Sequence, residues 1–180
     1  MLNHLLFLIL PIFFGKADKF MNIKLLNLLN KNARASTADL ATMLGMSEED
    51  VVAQIEEMEK EGLIRGYKAV IDWDQLDNTY VSAIIELKVT PKAGFGFEDV
   101  AAKVMKYPEV ESVYLMSGVY DLNVVVKGKS LQDVANFVAK ELSAMESVTS
   151  TATHFVLRKY KEVGTVLENA KADDRGMFLL

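Results

Sequence analysis

Two short stretches of this sequence combine side-chain types and spacings that could bind a ligand. The first is GMSEEDVVAQIEEMEKEGLIRGY, residues 45–67, which has the outline of a helix that enters the major groove of DNA. From residue 47 to residue 61 it carries seven acidic residues and one lysine, a local charge of about −6. Because phosphate neutralisation supplies much of the affinity for DNA, each carboxylate on a docking face opposes binding. The stretch therefore predicts a helix of DNA-reading shape that binds DNA weakly on its own.

Side chains in and around this helix offer two kinds of contact with DNA. Gln54 can read adenine edges, and a carboxylate can accept a hydrogen bond from cytosine N4. Phosphate contacts are expected from cations that flank the helix and from hydroxyls near helix N-termini. The candidates are the cations Lys31, Arg34, Lys60, Arg65 and Lys68, and the hydroxyls of Ser36, Thr37 and Ser47.

A purely structural interpretation of the acids stays open. The three acids that follow Ser47 fit a helix cap and complement the helix dipole, at about 0.3–1 kcal/mol each. The later acids, between residues 56 and 61, fit a solvated outer face with an i,i+4 pair between Glu56 and Lys60. This interpretation explains the individual carboxylates without excluding DNA binding by the module.

The second stretch is MSGVYDLNV, residues 116–124. Gly118 would permit a tight junction between two strands, and Asp121 places a carboxylate at the start of the next strand. Such a carboxylate could receive the amino group of an amino acid while exposed backbone amides receive its carboxylate. The alternative is a β-hairpin turn in which Asp121 bonds its own backbone. TSTAT, residues 149–153, could add hydroxyls, although alternating threonines are also good strand sequence.

Several classes of chemistry have no support in the sequence. The absence of cysteine excludes disulfides, thiolate metal sites and cysteine nucleophiles. Of the two histidines, His154 is expected to be a packed or surface residue, and no His/carboxylate spacing indicates a metal. No phosphate-binding glycine loop or nucleophile elbow is present. The net charge of −5 also excludes a global basic field. The sequence predicts no enzyme, no cofactor and no metal.

The residues that position the first stretch are predicted to form three helices. An apolar stripe runs from residue 21 to 32, with Ile23 among its members. Ser36 with Asp39, and Ser47 with Asp50, form capping patterns that open the second and third helices. The second helix takes its apolar face from Leu40, Ala41, Met43 and Leu44, and the third from Val51, Ile55 and Met58. Gly45 and Gly62 are placed to end them. The pattern predicts a helix-turn-helix followed by an extended segment.

The second half of the chain alternates strands with helices. A polar segment at residues 72–79 predicts a hinge. Beyond it the order is strand 80–89, helix 97–107, two strands joined near Gly118, helix 131–145 and a last strand from residue 147. The similar segments EDVAAKV and QDVANFV lie 34 residues apart, which indicates an internal repeat of two βαβ halves. The prediction is a split-βαβ sandwich.

Together these residues resemble the leucine-responsive and asparagine-type (Lrp/AsnC) transcription regulators. The resemblance covers about residues 21–163, and its best signatures are the helix-turn-helix running into GLIRGY and the SGVYDL junction. It implies an α+β chain with an N-terminal winged helix-turn-helix of three helices and a C-terminal ferredoxin-like βαββαβ sandwich. It also implies sequence-specific binding to double-stranded DNA, a homodimer or higher homo-oligomer, and a small effector, usually an amino acid, bound between C-terminal domains.

The resemblance also implies where the effector lies and how the chain divides. The effector residues are expected to be Met116, Ser117, Gly118, Tyr120, Asp121, Thr149 and Thr151. The expected domains are 21–71 for DNA binding, 72–79 as the hinge, 80–163 for the effector and oligomerisation, and 164–180 as a tail.

The first twenty residues fall outside the family pattern. Their apolar run, residues 5–15, is too short to span a bilayer, which needs roughly 20 residues. An over-extended translation start or dispensable extension is favoured because Met21 directly precedes an amphipathic pattern. A signal peptide, and a hydrophobic anchor or partner segment, remain alternatives. The expected location is the cytoplasm, without stable membrane association.

Two other functions remain open. A helix-turn-helix-derived sensor or interaction protein that has lost DNA binding would tolerate the acidic third helix. A siroheme-decarboxylase-like enzyme has the same two-domain build, but it needs basic residues and a histidine around a tetrapyrrole-sized cavity. Only His154 is available for that histidine.

Overall fold

The computed structural model describes residues 22–76, 80–91 and 96–167. The chain divides into two compact units between Ala69 and Val70. The apolar leader, and part of both the expected hinge and the expected tail, lie outside the described residues. Within the described ranges, no helix is long and apolar enough to cross a bilayer. The hinge at residues 72–79 and the other expected domain limits remain predictions.

The first unit consists of three helices, α1 (Ile23–Lys31), α2 (Thr37–Leu44) and α3 (Glu48–Lys60). Its core is formed by Leu25, Leu29, Leu40, Ala41, Val51 and Met58. Two predicted apolar-face residues are instead exposed, Ile23 at 64% and Met43 at 66%. At 3.6 residues per turn, Met43 lies about 110° from the stripe centred between Leu40 and Ala41. The apolar faces predicted from the sequence were too wide, which explains both errors.

The helix ends confirm the predicted caps. Ser36 Oγ accepts the Asp39 amide at 3.0 Å and donates to its carboxylate at 2.6 Å. Ser47 Oγ does the same with Asp50, at 3.1 and 2.7 Å. Gly45 ends α2 with φ +67°, a left-handed conformation that a Cβ disfavours. These caps fix the turn between α2 and α3, and so the direction in which α3 leaves it.

No strand is formed between residues 63 and 71, where the sequence predicted an extended segment. Gly62, with φ +71°, follows the end of α3. The hydroxyl of Tyr67 donates to Glu59 Oε1 at 2.9 Å, which ties the segment back to α3. The second unit then begins with a 3-10 turn, Trp73–Gln75.

The second unit has the predicted βαββαβ order. Its elements are β1 (Val81–Val89), α4 (Phe97–Val104), β2 (Val110–Leu115), β3 (Leu122–Gly128), α5 (Leu131–Phe137) and β4 (Val148–Val156). The antiparallel sheet has strand order β2-β3-β1-β4. Ile85 of β1 lies opposite Val124 of β3 and Thr153 of β4. The two βαβ halves therefore interleave, because the central strands β3 and β1 come from different halves.

The sheet buries one face against the two helices. Alternation along β1 sends Ala83, Ile85, Leu87 and Val89 into the core, where they meet Val100, Val104, Val134 and Leu142. The opposite face carries Ser82, Ile84, Glu86 and Lys88. Gly128 is required where β3 passes α5, because a Cβ there would lie 2.8 Å from Val134 Cγ2. We call the surface opposite the helices the open face.

The sequence did not predict two local features of the second unit. The predicted helix 131–145 is α-helical only to Phe137 and continues as a π-helix, Val138–Leu142. A small hairpin, β5 (Lys161–Glu162) and β6 (Thr165–Val166), crosses the position where the tail was predicted to start. Its turn places Val163 at φ +44° and Gly164 at φ +82°.

Candidate functional site

The outward face of α3 is the surface that the sequence predicts to face DNA. Its exposed residues opposite the buried Val51 and Met58 are Glu49, Val52, Ala53, Glu56 and Lys60. Val52 is 38% exposed although it is apolar. At about 100° per residue, Glu49, Glu56 and Lys60 lie nearest the centre of this face, with Ala53 beside them and Val52 at its border.

Gln54 does not lie on that outward face. It is half-buried, and its Oε1 accepts a hydrogen bond from Asn22 Nδ2 at 3.1 Å. Asn22 also caps α1 by accepting the Leu25 amide at 3.0 Å. The position follows from helical spacing, because residue 54 is three residues after the buried Val51 and shares its side of the helix. Its amide therefore joins α3 to the start of α1.

The three candidate hydroxyls already donate to carboxylates. Thr37 Oγ1 donates to Glu48 Oε1 across the turn between α2 and α3. Ser36 and Ser47 donate to the acids three residues later. A phosphate that used these donors would have to displace a carboxylate first. These carboxylates would therefore compete with DNA phosphates for the same three hydroxyl protons.

The five candidate cations are exposed and uncompensated. Lys31, Arg34, Lys60, Arg65 and Lys68 form no ion pair with any described residue. Arg65 folds back so that its guanidinium covers Gly62, where an added Cβ would lie 3.0 Å from Arg65 Cζ. Their donors remain available for phosphate oxygens.

The second candidate site lies at the end of the sheet where β1 finishes and β3 begins. Asp121 Oδ2 accepts the Val89 backbone N–H at 2.8 Å, and Oδ1 lies 3.3 Å from Lys88 Nζ. Lys88 Nζ also donates to the carbonyl oxygen of Val119 at 2.9 Å. Asp121 therefore anchors the β2–β3 loop to the end of β1.

These contacts also set the charge of Asp121. The backbone N–H of Val89 and then Lys88 lower the pKa of Asp121 below its usual value, against an opposing effect of burial. The carboxylate therefore stays ionised at neutral pH. Since an ionised carboxylate has about four acceptor positions, two engaged donors leave acceptor capacity for a further one.

The loop between the strands is exposed, and Gly118 has a different role from the one predicted. Met116, Ser117 and Gly118 are exposed, while Tyr120 is half-buried. The Met116 amide donates to the Asp121 carbonyl at 2.8 Å, which closes the loop. Gly118 does not have a positive φ, and an added Cβ would meet nothing within 4 Å. The turn itself therefore does not require glycine, and its bare backbone is left open to solvent.

The β4 threonines reach the same end of the sheet. Thr149 Oγ1 donates to the backbone oxygen of Lys88 at 3.2 Å, and Thr151 Oγ1 lies 3.4 Å from Ser143 Oγ. Lys88 is thus contacted both by the Asp121 loop and by β4. Sequence reasoning missed Lys88 because its partners depend on the registers of β1 with β3 and β4. The visible signal was a lysine close to the end of a mostly apolar strand sequence.

Other chemistry is sparse in the part of the chain that the structure describes. His154 is exposed, with Nε2 3.3 Å from Glu86 Oε2 on the open face. No group of three or more metal-ligating side chains occurs among residues 22–76, 80–91 and 96–167.

Comparisons with known proteins match both units. Residues 22–65 match the model for the winged helix-turn-helix DNA-binding family, and residues 82–166 match the Lrp/AsnC ligand binding domain. The chain is 48% identical over 153 residues to the HTH-type transcriptional regulator YugG of Bacillus subtilis, covering 84% of this chain and 92% of that protein.

Two more distant matches also cover most of the chain. The HTH-type transcriptional regulator FL11 of Pyrococcus furiosus is 30% identical over 139 residues, covering 77% of this chain and 89% of FL11. The crystal structure of a transcriptional regulator from Neisseria meningitidis in complex with L-Met superposes with a TM-score of 0.64 at 24% identity, covering 80% and 94% of the two chains. This chain belongs to the Lrp/AsnC family of transcriptional regulators, with a helix-turn-helix DNA-binding domain followed by the family's ligand-binding domain.

Proposed function

We propose that this regulator binds double-stranded DNA sequence-specifically through the outward face of α3, with phosphate contacts from the five exposed cations. The observation that carries the proposal is the pairing of an uncompensated cation set with a capped, outward-facing third helix. Val52 and Ala53 offer apolar contact to thymine methyl groups, and Glu56 can accept from cytosine N4. Gln54 supports the helix from inside, through Asn22.

Binding by one module is weak, because the acids on α3 oppose phosphate and because the three candidate hydroxyls already donate to Asp39, Glu48 and Asp50. Two or more modules on one DNA molecule are then needed for useful affinity. If each contributes three to five phosphate contacts, the salt slope for two modules is roughly −5 to −9 at about −0.9 per contact. Measuring the affinity for DNA upstream of the chain's own gene over a salt series tests this. A log–log slope near zero, or no binding at low salt, would contradict it.

The open face is the surface proposed to bring two copies together. Ile84 and Val125 lie opposite each other on neighbouring strands, both half-buried, and neither is covered by a helix of the sheet's own unit. Val125→Glu should reduce the oligomer to the 20.1 kDa monomer in light scattering after size exclusion. Met105→Glu, which changes a 61% exposed apolar side chain outside the sheet, is the matched control. A wild-type protein that is monomeric at micromolar concentration would overturn the proposal.

The effector is proposed to be an amino acid bound at the loop between β2 and β3. Asp121 keeps a negative charge for an ammonium group, and the exposed amides near Gly118 can receive a carboxylate. The L-Met complex of the Neisseria relative favours this ligand class, and methionine is one candidate within it. Calorimetric titration of the twenty amino acids is the test. Binding that is unchanged in Asp121→Asn would remove this site.

A second candidate function follows from the acidic third helix. A sensor or interaction protein that no longer binds DNA would tolerate the seven acids between residues 47 and 61 and the three occupied hydroxyls at the starts of α2 and α3. The salt series separates it from the regulator, because it predicts amino-acid binding without DNA binding. The chain is proposed to act in the cytoplasm and without enzymatic chemistry.

A further inference from the structure

The side chain of Asn22 joins three parts of the first unit. Its Oδ1 accepts the Leu25 amide N–H at 3.0 Å and so caps α1. Its Nδ2 donates to Gln54 Oε1 of α3 at 3.1 Å and lies 3.5 Å from Sδ of Met46, in the turn between α2 and α3. Asn22, Met46 and Gln54 are all half-buried. One amide therefore connects the start of α1 with both the turn and α3.

These contacts use both ends of an asparagine amide. The cap needs only an oxygen acceptor, which serine, threonine or aspartate would also supply. The contact with α3 uses the amide NH2 group, which an ionised aspartate lacks and which the shorter serine and threonine cannot place at the same distance. Because the Leu25 amide holds Oδ1, the NH2 group of Asn22 is directed at α3. Capping of α1 therefore does not by itself explain an asparagine at position 22.

The hydrogen bond between Asn22 and Gln54 restricts the rotation of α3 more tightly than the apolar core does. Val51 and Met58 bury apolar surface, and apolar burial is not directional. A hydrogen bond is directional, because it weakens steeply as its angle departs from linearity. With a radius of about 5–6 Å including side chains, α3 would move its outer side chains by about 2 Å for a rotation of about 20°. A hydrogen bond to a base edge does not tolerate such a displacement.

We infer that Asn22 is a positioning residue for DNA binding, which holds through Gln54 the angle at which α3 presents its outer face. This role rests on the DNA binding proposed above and names the residue that orients the helix. Asn22 and Gln54 are uncharged, so their contact adds nothing to phosphate attraction. Phosphate contacts set the salt dependence of binding, and base contacts set the discrimination between sequences. Loss of the Asn22 amide should therefore reduce discrimination and leave the salt slope unchanged.

Asn22→Ser tests this role, because it removes the amide and keeps an N-cap residue of similar strength. The full-length variant and the wild type are titrated into labelled DNA from upstream of the chain's own gene and into an unrelated duplex of equal length, with fluorescence anisotropy as the readout. The ratio of the two affinities should fall by about tenfold, within the range for one lost base contact. The salt slope and the affinity for the unrelated duplex should stay as in the wild type. Asn27→Ser, at an exposed position of α1, is the matched control and should keep the wild-type ratio.

Two substitutions of Gln54 distinguish positioning from direct reading of a base. Gln54→Glu keeps an acceptor for Asn22 Nδ2 but removes the amide that would read adenine with both a donor and an acceptor. Positioning predicts the wild-type affinity ratio, although the added charge weakens binding to both duplexes. Gln54→Leu removes the acceptor and should lower the ratio as Asn22→Ser does. The double variant should be no worse than either single variant, because both remove the same contact.

The possible results separate this role from the proposed function. A wild-type ratio in Asn22→Ser would overturn the role and leave the proposed DNA binding in place. A ratio that is lost in Gln54→Glu but kept in Asn22→Ser would mean that Gln54 reads a base directly. Weaker binding of Asn22→Ser to both duplexes with a smaller salt slope would indicate lost phosphate contacts and would also contradict the role. If Asn22→Ser is unfolded by circular dichroism, Gln54→Leu decides the outcome, because it leaves the cap of α1 intact. A wild type that binds neither duplex, or both equally, would remove the proposed function together with this role.

Discussion

At the scale of single residues, Asp121 and Lys88 organise the end of the sheet that we propose binds the effector. Each joins the β2–β3 loop to β1, by a 2.8 Å bond to the Val89 amide and a 2.9 Å bond to the Val119 carbonyl. The polar groups that a ligand would meet are therefore held in place before the ligand arrives. Such pre-organisation lowers the entropic cost of binding.

Gly118→Ala should separate ligand binding from folding. An added Cβ meets nothing within 4 Å and the backbone φ is ordinary, so the melting temperature should stay within about 1 °C of the wild type. If an effector approaches the bare backbone here, the methyl group should weaken its binding by about tenfold. Thermal melting and calorimetry are run on the same preparation. Unchanged amino-acid affinity would mean that the ligand does not approach Gly118.

Asp121 should make the stability of the second unit depend on pH in acid. Its pKa is lowered in the folded protein, so its stabilising effect is fully present above the unfolded value of about 3.9. It is lost as the pH falls through the lower folded value. Asp121→Asn should therefore lower the melting temperature at pH 7, and the difference from wild type should shrink below about pH 4. A difference that is equal at pH 7 and pH 3 would contradict this.

At the scale of elements, α3 has the shape of a DNA-reading helix but carries a charge that opposes binding to DNA. Its N-cap and inner face follow the sequence rules, and its outer face presents Glu49 and Glu56 beside Val52 and Ala53. We therefore expect charge on this helix to tune the affinity for DNA without changing the fold.

Glu56→Gln should raise the affinity for DNA. One charge pair about 4 Å apart in water is worth about 1 kcal/mol, so removing one carboxylate near phosphate predicts up to a fivefold gain at low salt. Glu98→Gln removes an exposed carboxylate from α4 and serves as the control. Fluorescence anisotropy on the same DNA compares the two. Equal affinities for both variants would place Glu56 away from the phosphates.

Gly128→Ala should destabilise the packing of α5 against β3. The new methyl group would lie 2.8 Å from Val134 Cγ2, and overpacking of this kind typically costs 1–3 kcal/mol. Chemical denaturation followed by circular dichroism measures the change. A loss below about 0.5 kcal/mol would show that α5 can shift freely.

The elements were predictable where the signal is local. Ser36, Ser47 and Gly45 act through neighbours three to five residues away, so the sequence sufficed for them. The partners of Lys88 depend on strand register across more than thirty residues, and Gln54 required its packing against α1. The π-helix after Phe137 has no comparable sequence marker. The sequence therefore predicted the local caps but not the long-range pairs.

At the scale of the whole molecule, charge decides how the protein can use its DNA-binding unit. Residues 22–69 contain six cations and eight acids, a net charge of −2, and the full chain carries −5. We therefore expect attraction to DNA to come from the local distribution of the five candidate cations, repeated in the proposed oligomer. We propose that assembly through the second unit and DNA binding by the first are therefore linked requirements.

The most direct measurement is the affinity of the full-length protein for DNA upstream of its own gene, with and without each of the twenty amino acids. We predict salt-sensitive binding and a change of at least about fivefold in affinity with one or more amino acids, the lower range of coupling between two sites. Methionine is the first to add. An affinity for DNA that no amino acid alters, or no binding to DNA even at low salt, would contradict a regulator controlled in this way.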